Sequence, residues 1–226
     1  MVHARKYLAC FVLFLFWLAG CDTKKMPEVP ATNLKTGKEN NGLKEQQVSA
    51  FLNLYAPTDT FPISISTKAG EWEGPESPNF KWHGRIVPSV YWPIFHSWIP
   101  YNRFAPEPLF FATKRFRVNK TTWALLTRAP GAFWPSQVFV FLFDTDKRKI
   151  INSFRVAEAW ADLGDSFYLE AKITKLKENR FVIYLNQSEC HPLDENYEKF
   201  TCTDSLKTYS LNHTVFRIIA QSKGKK

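Results

Sequence analysis

The sequence predicts a mainly β domain: an antiparallel meander folded as a sandwich or a barrel-like sheet, with one short helix at its N-terminal side. After residue 109 the chain consists of strand-length apolar runs separated by short polar turns, which is typical of antiparallel sheets whose strands follow one another. A single stretch, residues 43–55, has its apolar side chains at helical spacing instead.

The predicted helix marks the start of the domain. Apolar side chains recur at helical spacing between Leu43 and Tyr55, asparagines precede them as N-cap candidates, and Pro57 follows the pattern. We expect a short amphipathic helix that packs its apolar face on the rest of the domain.

Residues 58–108 are harder to assign. Residues 61–66 alternate between apolar and polar and predict a strand, but seven prolines between positions 75 and 108 prevent any long element. Large aromatic side chains crowd the same segment. Irregular backbone with many large rings indicates either a loop-rich layer that covers a sheet or a recognition surface, and both interpretations stay open.

The predicted strands form four hairpins. They pair residues 110–118 with 121–128, 137–143 with 150–156, 167–173 with 181–185, and 208–211 with 215–220. Residues 157–162 are ambiguous and could form one helical turn.

The first 20 residues have the pattern of an export signal. Arg5 and Lys6 give a positive start, and an unbroken apolar run of 13 residues follows from Tyr7 to Ala19. The run is too short to cross a bilayer, which takes about 20 residues.

The end of this run, Leu18-Ala19-Gly20-Cys21, resembles the lipobox of bacterial lipoproteins. The resemblance implies cleavage before Cys21, a diacylglyceryl thioether on its sulfur and usually an acyl chain on its new amino group. Two or more chains anchor a protein stably. We therefore expect a membrane-anchored, extracytoplasmic protein of the cell envelope, facing the periplasm or the cell surface, with the choice of membrane left open.

Three parts of the chain are predicted. Residues 1–20 form the signal peptide, residues 21–42 a flexible tether, and residues 43–226 a single mainly-β domain. The tether prediction rests on polar composition with Pro27 and Pro30 and almost no apolar residues.

The charge balance favours anionic partners in a general way. The chain has 30 basic and 21 acidic residues, and removing Arg5 and Lys6 with the signal takes the net charge from +9 to +7. The basic residues are spread out, so nucleic-acid binding is not predicted. The alternation Lys114-Arg115-Phe116-Arg117 suggests an anionic ligand, although a strand with one solvated face explains it equally well.

The cysteines predict one disulfide. Cys10 leaves with the signal and Cys21 takes the lipid, so Cys190 and Cys202 remain as a pair in an oxidising compartment. With His191 they supply only three metal ligands where a structural zinc takes four, so we predict a disulfide and neither a metal nor a cofactor.

No motif predicts catalysis. Asp144-Thr145-Asp146 begins like a calcium loop, but the glycine and glutamate that such a loop needs are missing. Glu71, Glu73 and Glu76 could supply the paired carboxylates of a hydrolase, although carboxylates this close in sequence more often decorate a loop.

The sequence therefore favours binding over catalysis. Trp72, Trp92, Trp98 and Tyr101 form the candidate binding surface, because tryptophan and tyrosine give large contact areas at low entropic cost. The leading hypothesis is an interaction or scaffold role with an envelope protein. The alternatives are a glycan-binding module and an envelope hydrolase.

Overall fold

The structure is a computed structural model that describes residues 42–67, 82–99, 109–130, 137–162, 164–194 and 196–225. The described residues all belong to one compact unit. Several sequence predictions lie outside them: the signal peptide, Cys21, the tether up to residue 41, the Glu71 region, Trp72 and Tyr101.

The N-terminal third of the domain holds short elements, and the remainder is almost entirely strand. The short elements are α1 (Glu45–Leu52), β1 (Ala56–Pro57), β2 (Ile63–Ser66), β3 (Arg85–Ile86), a 3₁₀ turn (Ser89–Tyr91) and α2 (Pro93–His96). The strands that follow are β4 (Phe111–Arg117), β5 (Thr122–Ala129), β6 (Gln137–Asp144), β7 (Lys149–Asp162), β8 (Asp165–Lys177), β9 (Arg180–Pro192), β10 (Phe200–Asn212) and β11 (Val215–Lys225).

The predicted antiparallel meander is confirmed. Strands β4 to β11 lie side by side in chain order, and each pairs antiparallel with the next. The sheet as a whole is mixed, because β1 pairs in parallel with β4. Among the described strands, β11 pairs only with β10, so the sheet does not close into a barrel.

One long strand folds the sheet over on itself. The first ten residues of β7 pair with β6, whereas its last five pair with β8, and residues 170–173 of β8 pair instead with β2. The two halves of the sheet therefore face each other across an inner core. Phe116 of β4 and Phe181 of β9 meet there, with ring centroids 4.9 Å apart.

A second core lies on the outer face of β4, β5 and β6. Helix α1 and the segment around α2 cover this face, and Phe95 stacks on Phe110 with ring centroids 4.6 Å apart. Strands β5 and β6 are therefore buried on both faces, which explains their nearly continuous apolar sequences.

The predicted helix is confirmed, but its cap differs from the expectation. Lys44 rather than an asparagine is the N-cap residue, and its backbone N–H donates to Oε1 of Gln47 at 3.0 Å. Phe51 and Leu52 carry the buried face of the helix, as its periodicity predicted.

The later strands are longer than predicted. Residues 157–162, left ambiguous between helix and strand, continue β7, and strands β8, β9 and β10 each have 13 residues. Polar residues extend these strands because the backbone ladder continues past the apolar core. The residues that lengthen the strands lack the apolar alternation that reveals a half-buried strand.

Candidate anion-binding site

The two described tryptophans of the candidate binding surface help to anchor the layer that covers the sheet. Trp92 and Trp98 are half-buried and pack against the outer core. Nε1 of Trp92 donates a hydrogen bond to the backbone oxygen of Val87 at 2.8 Å. This packing favours an anchoring role for both rings, and the binding surface stays a prediction.

The predicted disulfide is confirmed. Cys190 and Cys202 are directly opposite each other on β9 and β10, with Cα atoms 4.1 Å apart and the sulfurs bonded. The bond closes the hairpin just before the irregular connection between the two strands, so it holds the ends of that connection together.

The side chain of Asp144 stabilises the acidic turn that begins at this residue. Oδ1 of Asp144 accepts hydrogen bonds from the backbone N–H groups of Asp146 and Lys147, at 3.0 and 2.9 Å. Among the described residues, no three His, Cys, Asp or Glu side chains come close enough together to hold a metal ion.

The described helices bear on whether the chain spans a membrane. No helix within the described ranges combines the length and the apolar character that a membrane span requires.

Four turns meet at one end of the meander, which we call the hairpin end: residues 118–121, 145–148, 178–179 and 213–214. Alternating strand directions bring every second turn to this end. Hydrogen bonds connect some of these turns to their neighbours: Thr145 donates through its backbone N–H to the Thr121 oxygen at 2.8 Å, and Asn152 of β7 donates to the Thr214 oxygen at 2.9 Å.

Two arginines share one tryptophan at the hairpin end. Arg115 and Arg117 lie two residues apart on β4, so both project from the same face of the sheet. Trp123 of β5 is directly opposite Arg117. The guanidinium carbons of Arg115 and Arg117 lie 5.0 and 4.4 Å from the tryptophan ring centre, within the range of cation–π attraction.

The two guanidinium groups have few partners. Arg117 donates to the backbone oxygen of Lys120 at 2.8 Å, and within the described part of the chain the guanidinium of Arg115 makes only a long contact of 3.4 Å to Oδ1 of Asn53. Nε of Arg115 is buried and has no hydrogen-bond partner among the described residues. Neither arginine forms an ion pair with a described carboxylate.

Partial burial lowers the pKa of Arg115. Desolvation, and then the neighbouring positive charge of Arg117, lower the pKa of Arg115 below its ordinary value. The guanidinium stays protonated, since the ordinary pKa of arginine is above 12. An anion beside it would offset both unfavourable effects.

The arginine–tryptophan site, defined as Arg115, Arg117 and Trp123, lies between two clefts. A cleft of about 480 Å³ opens beneath α1, and its further lining consists of Glu45, Val48, Ser49, Leu52, Asn53, Thr145 and Arg148. A second cleft, of about 410 Å³, opens toward the loop before β2, where Asp59, Phe61 and Lys175 add to the lining. Each cleft therefore has three cations and one carboxylate.

The sequence indicated part of this site. The alternating Lys114-Arg115-Phe116-Arg117 motif indicated an anionic ligand, but Trp123, Arg148 and Lys175 carried no signal of their own. Each lies in or beside a different hairpin turn. Only the short connection between β4 and β5, which sets Trp123 opposite Arg117, could have suggested one of these contacts.

Comparison with known protein families, with curated proteins and with solved structures finds no match to this chain.

Proposed function

We propose that this chain is a lipid-anchored protein of the cell envelope that acts by binding, and that it binds an anionic ligand at the arginine–tryptophan site. The observation that carries the proposal is the pair of guanidinium groups over one tryptophan, beside two clefts and without a described carboxylate partner. The anchor rests on the lipobox-like segment that ends at Cys21.

The chemistry of the site favours an oxyanion. A guanidinium presents its N–H groups in a planar fork that matches carboxylate or phosphate oxygens. Trp123 limits how far the two forks can turn, because both guanidinium carbons lie within 5.0 Å of its ring centre. Such preorganisation reduces the side-chain entropy that a ligand must otherwise remove.

Arg115 is the residue that favours a ligand over an ordinary solvated surface. An exposed arginine satisfies its donors with water, whereas Nε of Arg115 is shielded from water and has no described partner. Buried donors without partners cost free energy. An oxyanion in the adjoining cleft would accept hydrogen bonds from the terminal Nη groups of Arg115 and supply the missing negative charge.

The other candidate functions have less support from the described residues. Glycan binding by the tryptophans needs exposed rings, whereas Trp92 and Trp98 are half-buried in the outer core. The hydrolase alternative rests on Glu71, which lies outside the described residues. Anion binding is also compatible with a protein partner, because phosphates and carboxylates are the groups that acidic protein segments, anionic glycans and lipid headgroups present.

The test is a titration with inorganic phosphate, followed by NMR on the ¹⁵N-labelled chain after the proposed cleavage site. We expect the Nε–H resonances of Arg115 and Arg117 and the indole resonance of Trp123 to shift in a saturable way. Arg115→Gln with Arg117→Gln should abolish the response of Trp123.

The matched control is Arg180→Gln with Arg217→Gln, which removes the same charge from exposed strand positions. This variant should keep the response. Phosphate that leaves the Arg115 resonance unmoved, or that shifts every exposed arginine equally, would contradict the proposed site.

A further inference from the structure

The hairpin end carries more basic side chains than the two arginines of the arginine–tryptophan site. Within residues 117–122, 144–149 and 175–180, eight lysine and arginine side chains are exposed and only two carboxylates, Asp146 and Glu178, are exposed with them. The third carboxylate, Asp144, is buried and holds its own turn. This end of the domain therefore presents a surface of cations.

The opposite end of the sheet has the reverse balance. Its described turns, within residues 162–165 and 189–199, carry five carboxylates and one lysine, Lys199, and the last part of β11 adds Lys223. His191 there lies between Asp165 and Glu189, with nitrogen to oxygen distances of 2.8 and 3.5 Å. The cationic surface therefore belongs to one end of the molecule.

An apolar side chain projects from the middle of the cations. Leu176 lies between Lys175 and Lys177, where the register of β8 and β9 shifts, and it is 60% exposed. Val215, in the neighbouring hairpin, is 44% exposed. Exposed apolar residues flanked by lysines are typical of surfaces that enter the headgroup layer of a membrane.

The chain enters the domain at the same end. The backbone N–H of Leu43 donates to the Arg148 oxygen at 2.8 Å, so the first described residues are attached to a turn of the hairpin end. Residues 21–41 lie between the proposed lipid and this point, and 21 residues span at most about 75 Å. A lipid on Cys21 would thus hold this end within about 75 Å of the membrane.

We propose that the hairpin end docks on an anionic membrane surface, with Leu176 in the headgroup layer and the surrounding lysines and arginines on lipid phosphates. This inference rests on the proposed function, because it names lipid headgroups as the source of the anion and relies on the lipid on Cys21 to keep the domain near the membrane. Docking leaves the disulfide-linked hairpin facing away from the membrane.

Charge complementarity selects this occupant over a symmetric dimer that meets through its two hairpin ends. Two copies that met through their hairpin ends would bring like charges together, since each presents eight exposed cations. An anionic lipid surface instead attracts each basic side chain, and the attraction falls off within one Debye length.

The experiment uses the whole chain from residue 21 with Cys21→Ser, so that no lipid contributes. Its partitioning is measured by sedimentation with vesicles of phosphatidylcholine alone and of phosphatidylcholine with phosphatidylglycerol. We expect binding only to the anionic vesicles, with an affinity that falls as salt is added. Lys120→Gln with Lys175→Gln should weaken the partition coefficient about twenty-five-fold, at about fivefold per lysine.

Two further variants separate docking from general charge attraction. Lys199→Gln with Lys223→Gln removes the same charge at the opposite end and should leave partitioning within about twofold of the parent chain. Leu176→Ser changes no charge and should weaken partitioning about tenfold. Equal losses for the two lysine pairs, or no binding to the anionic vesicles, would overturn the docking surface.

The outcomes distinguish this inference from the proposed function. If phosphate binds at Arg115 while anionic vesicles do not bind, membrane docking is wrong and the site takes a soluble anion. If the vesicles bind through the hairpin end while Cys21 proves to be unmodified, docking stands and the lipid anchor is wrong.

Discussion

At the scale of single residues, the strand alternation on β4 decides which side chains form the site. Phe116 points into the inner core, so its neighbours Arg115 and Arg117 both point to the outer face, beside α1. The two explanations of the alternating motif are therefore compatible: one face of the strand is solvated, and that face also gathers two cations around Trp123.

A buried hydrogen bond ties the helical layer to the sheet. The hydroxyl of Tyr55 lies 2.9 Å from Oγ1 of Thr127, and both side chains are fully buried. Burial raises the pKa of Tyr55 above its ordinary value, so the hydroxyl stays neutral. We predict that Tyr55→Phe lowers the free energy of unfolding by about 1 to 2 kcal/mol, because Thr127 loses its partner. Urea denaturation measures the loss.

The control for this prediction removes both polar groups. Tyr55→Phe with Thr127→Val should recover most of the stability, since no buried hydroxyl is left unpaired. A double variant less stable than the single one would show that packing around Tyr55, and not the hydrogen bond, accounts for the loss.

At the scale of elements, the long β9–β10 hairpin carries a disulfide near the end that is farthest from the hairpin end. The inner core packs against the part of β9 and β10 that lies toward the four turns of the hairpin end, through Phe181, Ile183 and Leu211. Beyond that core the paired residues are mostly polar, and the Cys190–Cys202 bond lies close to the end of the ladder.

We predict that Cys190→Ala with Cys202→Ala lowers the free energy of unfolding by about 3 kcal/mol, because a disulfide at this sequence separation restricts the unfolded chain. Chemical denaturation of the oxidised parent and the variant measures the difference. The reduced parent should match the variant. A variant as stable as the oxidised parent would show that the hairpin does not need the bond.

At the scale of the whole molecule, charge is divided between the two ends of the sheet. The basic hairpin end carries the arginine–tryptophan site and the point where the chain enters the domain. In the proposed arrangement lipid and cations act together on one membrane. The lipid keeps the domain at the membrane, and the cations determine which end of the domain faces it.

We predict that Cys21→Ser removes the lipid and releases the protein from the membrane fraction of cells. Labelling with a fatty-acid analogue, followed by fractionation, measures both effects. Cys10→Ser is the matched control, since Cys10 lies within the predicted signal, and it should leave labelling unchanged. A Cys21→Ser protein that still takes up the label would exclude the lipobox interpretation.

The sequence by itself determined the features that depend on near neighbours. The alternation of apolar runs and turns predicted the meander and all four hairpins, helical spacing predicted α1, and the counting of cysteines predicted the disulfide. These features follow from backbone periodicity and covalent chemistry, which act over a few residues.

Only the tertiary structure decided how these parts meet. The sharing of β7 between two halves of the sheet folds that sheet over, and this fold brings Lys175 of one half to Arg115 and Trp123 of the other. Packing of the helical layer on the outer face of the sheet also half-buries Trp92 and Trp98, whose sequence surroundings were equally compatible with exposure. Which aromatic rings are covered and which cations converge depend on long-range packing, and a local pattern carries no record of that packing.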